Sequence, residues 1–73
     1  MNYRIYLKAP GMNNYGAISD NGIARNLIYA EMWNDLETVN KAFNSLIEIN
    51  PKNYKWQLRT INQKIIRRSE KNN

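Results

Sequence analysis

Between Asp35 and Ile49 the chain carries its clearest regular pattern. Leu36, Val39, Phe43, Leu46 and Ile47 recur at spacings of three, four, three and one, which places them on one stripe of a helix. Asn34 can cap that helix, with Glu37 three residues on completing a capping box, and Asp35 adds negative charge to the first turn. Asn50-Pro51 ends it, because the residue before a proline resists helical geometry. One amphipathic helix over 35–49 must lay its stripe on something. The rest of the chain offers mainly short segments of alternating character. That pairing constrains the fold more than any other feature.

Tyr3 to Lys8 (YRIYLK) alternates with period two: Tyr3, Ile5 and Leu7 on one face, Arg4, Tyr6 and Lys8 on the other. This reads as a half-buried strand stopped by Pro10-Gly11, followed by a loop over 11–16. Tyr15 to Ser19 reads as a second short strand, ended at Asp20-Asn21-Gly22, where Asn-Gly supports a tight turn. Near the other end, Tyr54, Trp56, Leu58 and Thr60 alternate with Lys55, Gln57, Arg59 and Ile61. Asn62-Gln63 is an acceptable turn, and Lys64 to Arg68 can return as a hairpin partner.

Residues 23–33 fit two templates. Ala24, Leu27, Ile28 and Met32 match a helical stripe, whereas Leu27, Tyr29 and Trp33 match one face of a strand. The reading adopted is a helical turn near 24–29 and a brief strand at 30–33. Trp33, beside the helix cap, belongs to the core. If the segment instead lies on the surface, Tyr29, Met32 and Trp33 make an apolar patch suited to a partner or a second copy of the chain.

The expected fold is therefore α+β: a small antiparallel sheet of three to five short strands with one main helix, about 35–49, packed on one face. Residues 1–70 form a single small domain and 71–73 a frayed tail. Tyr3, Ile5, Leu7, Trp56 and Leu58 should meet Leu36, Val39, Phe43, Leu46 and Ile47. The opposite face, with Arg4, Tyr6, Lys8, Lys55, Gln57 and Arg59, should be open.

Composition narrows the function. A chain of 73 residues buries only about 60% of the surface its unfolded form exposes. With no cysteine and no histidine there is no disulfide, and no metal site or cofactor is expected. Packing or self-association must supply the stability margin. The usual general base and the best nucleophile are also missing, and Ser19, Ser45 and Ser69 lie in no nucleophile-elbow pattern. No carboxylate spacing suggests convergence, and Gly11, Gly16 and Gly22 match no phosphate loop. An enzyme is not expected. No apolar run has the length of a signal peptide or a membrane span, so a soluble protein without a membrane partner is expected.

The net charge of +5 is unevenly placed. Residues 1–50 hold four cations (Arg4, Lys8, Arg25, Lys41) against five anions, giving −1. Residues 51–73 hold seven cations (Lys52, Lys55, Arg59, Lys64, Arg67, Arg68, Lys71) against Glu70, giving +6. Such asymmetry argues for a polyanionic partner. The candidate partner-binding set is Arg4, Tyr6, Lys8, Lys55, Arg59, Lys64, Arg67 and Arg68. Cations on a sheet face neutralise phosphates, and Tyr6 offers a ring for a base, so RNA or another single-stranded nucleic acid is one partner class. An acidic protein surface is another. The plainer reading is that these cations only solvate the wet side of a half-buried strand and deter edge pairing.

Ala30-x-x-Trp33-x-Asp35, leading into a helix with Leu36, Val39 and Phe43 and on to a Trp-containing strand, resembles small phage-encoded accessory proteins. In those, an alanine followed by an aromatic commonly ends a strand just before the helix. The pattern spans residues 15–60, and the 23–29 insert departs from it. Thirteen asparagines and nine isoleucines, both with A/T-rich codons, fit a bacterial or phage source. The resemblance implies a host-takeover or anti-defence protein, and it identifies no site residues. Such proteins act in the bacterial cytoplasm by binding a host protein or nucleoprotein complex and inhibiting or modulating it. A structural or assembly subunit, marked by self-association as a homodimer or larger, is the third class.

Overall fold

The computed structural model describes residues 1–20, 22–49 and 53–69. Among them the chain forms five strands, β1 (Tyr3–Lys8), β2 (Gly16–Ser19), β3 (Gly22–Ile23), β4 (Lys55–Thr60) and β5 (Ile65–Arg68), and one α-helix, α1 (Leu36–Ile49). The strands make one antiparallel sheet in the order β3-β2-β1-β4-β5, so the N-terminal strand lies at its centre. The α+β fold expected from periodicity is the fold observed.

Turn chemistry sets the strand ends. Pro10 and Gly11 occupy the middle of a turn closed by Met12 N–H donating to Ala9 C=O at 3.0 Å, with Gly11 at φ 91°. That is the arrangement in which proline presets the first corner and glycine the second. At the β2–β3 connection Gly22 takes φ 117°; its expected turn partner Asn21 lies outside the described residues. The helix stop at Asn50-Pro51 and the 71–73 tail also lie outside them.

The helix begins one residue later than its cap was placed. Asp35, not Asn34, is the cap: its Oδ2 accepts from Thr38 N–H at 2.8 Å and from the Thr38 hydroxyl at 2.7 Å. These bonds, the hydroxyl first, hold the Asp35 carboxyl below its ordinary pKa, with Lys41 helping and desolvation opposing. Glu37, freed from any box, reaches Lys41 at 4.0 Å on the exposed side of the helix, a contact worth little.

The core is Tyr3, Ile5, Val39, Phe43, Trp56 and Leu58, flanked by Leu7, Ile18, Trp33, Ala42, Leu46, Ile47 and Tyr54. The expected set is present except for Leu36, which is 42% exposed. Contact centres on Val39 and Phe43, in the middle of the stripe, and leaves the first helical turn outside it. Trp33 joins the core from the side.

Residues 23–33 resolve the two templates in sequence. Asn26 caps a three-residue 3₁₀ turn, Leu27–Tyr29, by accepting from Ile28 N–H at 3.2 Å. This turn is shorter than the one expected at 24–29. The chain then straightens: Glu31 N–H donates to Ile18 C=O at 2.9 Å, and Trp33 exchanges two backbone bonds with Tyr3. β2 pairs with β1 only at Ala17 and Gly16, so the 31–33 segment fills the wedge where they part.

Candidate functional site

β1 and β4 pair without interruption: Tyr3 with Thr60, Arg4 with Arg59, Ile5 with Leu58, Tyr6 with Gln57, Leu7 with Trp56 and Lys8 with Lys55. Directly opposed residues of an antiparallel pair share a face, so the register sorts six residues to the helix side and six away from it. The outer six are three cross-strand pairs, Arg4/Arg59, Tyr6/Gln57 and Lys8/Lys55. Two of the three are cation against cation. Like charges directly opposite on a sheet destabilise it. An arrangement chosen only for solubility would not need them in register.

That outer face is not open, contrary to expectation. Arg4 is 9% exposed, Tyr6 4% and Gln57 6%. The closure comes from long side chains lying down over the strands. Arg59 swings across the sheet so that its Cζ stands 4.2 Å from the Tyr6 ring centre and 5.4 Å from that of Tyr15. A guanidinium covers an aromatic face well because it is flat and weakly hydrated. Its Nε donates to Gln57 Oε1 at 2.8 Å and its Nη1 to Gln63 Oε1 at 3.0 Å. Lys8 Nζ stands 6.0 Å from the Tyr15 ring centre.

Gln63 shows why this clamp matters. It sits at φ 73° in the β4–β5 turn, a left-handed position where glycine is the usual residue. Glutamine there is strained, and its side chain shares with Gln57 the task of fixing Arg59. The β4–β5 pairing also shifts register between Leu58 and Arg59, which sets Arg59 beside a bulge.

Two buried polar atoms on this face, Arg4 Nε and Tyr6 OH, reach no hydrogen-bond partner among the described residues. Burying such a group unpaired costs about 1–3 kcal/mol each.

The structure divides the eight residues singled out from the sequence. Arg4, Tyr6, Lys8, Lys55 and Arg59 share the outer face, and Arg68, opposite Gln57, joins them. Arg67 does not. It opposes Leu58 on the helix side, where its Cζ lies 4.9 Å from the Phe43 ring centre and its Nη1 donates to Asn40 Oδ1 at 3.0 Å. Arg67 closes the core. Lys64 lies at the end of the β4–β5 turn, its backbone bonded at both N–H and C=O to Thr60.

Tyr15 and Gln63 are residues of this face that the periodicity did not single out, whereas Gln57 was placed on it by alternation. Tyr15 stands one residue before β2, and its closeness to Tyr6 follows only from the β1–β2 register. Gln63 carries no periodic signal. A non-glycine residue in a tight hairpin turn is the available hint.

Among the described residues no group of three or more carboxylates could hold a metal ion, and no helix is long and apolar enough to cross a membrane. In comparison with known proteins, the chain matches no family model, no curated protein and no solved structure.

Proposed function

We propose that this chain is a small non-catalytic binding protein that docks on an anionic surface of a macromolecular machine through the outer face of β1 and β4, and inhibits or modulates that machine. The observation that carries the reading is the register itself: Arg4 against Arg59 and Lys8 against Lys55, two pairs of cations held in line on one face. An anionic partner would meet that concentration of positive charge. Lys8 and Arg68 flank the closed centre and supply the reachable charge. Arg59 keeps its Nη2 unengaged by the described residues and can donate outward. The resemblance to phage accessory proteins points to a bacterial host component, such as a defence complex, in the cytoplasm.

An acidic protein surface fits this face better than a base-stacking nucleic acid. Recognition of single strands by aromatic platforms needs an exposed ring. Tyr6 is buried beneath Arg59 and offers none.

The test is capture from a bacterial lysate by the immobilised chain, with and without nuclease, compared with the double variant Lys8→Glu/Arg68→Glu. The expected result is a protein retained despite nuclease and lost in the variant. Retention that disappears with nuclease, with affinity falling steeply in salt, would instead make the chain an RNA or single-strand binder. Turnover of a small molecule by the purified chain would overturn the class.

A further inference from the structure

The second feature without an evident use lies at the other end of the sheet. The 3₁₀ turn and the residues after it present Leu27, Ile28, Tyr29 and Met32 to solvent, with Ile28 78% and Tyr29 66% exposed. Backbone bonds from Ala24 to Ala17 and from Glu31 to Ile18 hold this segment against β2. The apolar side chains are therefore displayed on a fixed frame. Beside them runs an open groove of about 510 Å³, its floor and walls shared between apolar Ile23, Ala24 and Tyr29 and polar Ser19, Asp20, Arg25 and Glu31. Ile28 is not part of the lining; it projects next to the groove.

We infer that this flank is the interface of a homodimer, in which Ile28 of each copy enters the groove of the other. A surface that carries both the knob and the hole is complementary to itself under twofold rotation. Its charges follow the same rule. Arg25 and Glu31 border one groove, with Asp20 beside them, yet neither is in an ion pair among the described residues, so each can meet the opposite residue of a second copy. A purely anionic partner of the kind proposed for the outer face would be repelled by Glu31.

Area allows it. A small interface takes about 600 Å² per partner, roughly a tenth of this chain's 5277 Å² of surface. Pairing at the β3 edge also leaves β1 and β4 uncovered, since β2 lies between. For a domain this small, burying Ile28 and Tyr29 in a dimer supplies stability that the single core lacks.

Sedimentation or light scattering across a concentration series, from low micromolar upward, tests the inference on the full chain. The chain is expected to pass from monomer to dimer. Ile28→Asp should raise the dissociation constant at least about tenfold while leaving the circular dichroism of the monomer unchanged. Arg25→Glu should weaken association, and Arg25→Glu/Glu31→Arg should restore it, which a merely structural effect of either change would not do. A chain that stays monomeric throughout overturns the inference. So does a dimer insensitive to Ile28→Asp, or a charge swap that fails to restore what Arg25→Glu removes.

Discussion

The two faces of the β1–β4 ladder are built from alternate residues of the same twelve, and both are closed at the centre. They close by different physics. On the helix side, Ile5 and Leu58 disappear beneath Val39 and Phe43, and the closure is apolar packing. On the outer side no described element covers Tyr6 and Gln57; an arginine from the sheet itself lies across them. Apolar closure admits one cation, Arg67, at its margin over Phe43. Arginine closure leaves like charges facing one another and, among the described residues, two buried polar atoms without a partner. The first face is closed by packing alone at its centre, the second by a charged side chain.

The contrast can be broken from either side. The largest effect should come from the apolar face: Trp56→Ala removes a buried ring and should cost about 3–5 kcal/mol, enough to unfold much of a marginal domain. Denaturant titration followed by tryptophan fluorescence of Trp33 measures it. On the outer face Arg59→Ala should cost about 1–2 kcal/mol by uncovering Tyr6, and Arg59→Lys should restore little, because an ammonium cannot stack as a plane. If lysine restores full stability, the guanidinium is acting as a charge and not as a lid.

A smaller effect belongs to the helix that covers the apolar face. The Asp35 carboxyl is held below its ordinary value of 3.8 by its bonds to Thr38, so its contribution is present above that value and is lost as pH falls through the depressed one. Thermal unfolding of Asp35→Asn should show a weaker acid dependence in that range than the parent chain. An unchanged acid profile would mean that the Thr38 bonds do not favour the charged form.

These differences also explain what could be read without coordinates. Period two in YRIYLK and KWQLRT, and the stripe from Val39 to Ile47, give strands, helix and core because burial of one face leaves its mark on every second or third residue. Two features fell outside that rule. Arg67 reads as one more surface cation, yet the bulge and the register of β5 turn it onto Phe43. The outer face reads as open because alternation reports polarity, whereas its closure depends on how far a long arginine reaches. The Asp35-x-x-Thr38 cap was present in the sequence beside the competing Asn34-x-x-Glu37; only the position of the first helical turn decides between them.

The most direct measurement of the outer face's role uses Lys8→Glu, which sets a carboxylate opposite Lys55 in place of a like charge. Its denaturant midpoint and its capture of nuclease-resistant protein from lysate should be compared with the parent chain in the same buffer. A face that keeps facing cations for binding should gain about 0.2–1 kcal/mol of stability in this variant and lose capture. A variant that is no more stable and captures its partner as before would contradict that role and leave the cations as solvation alone.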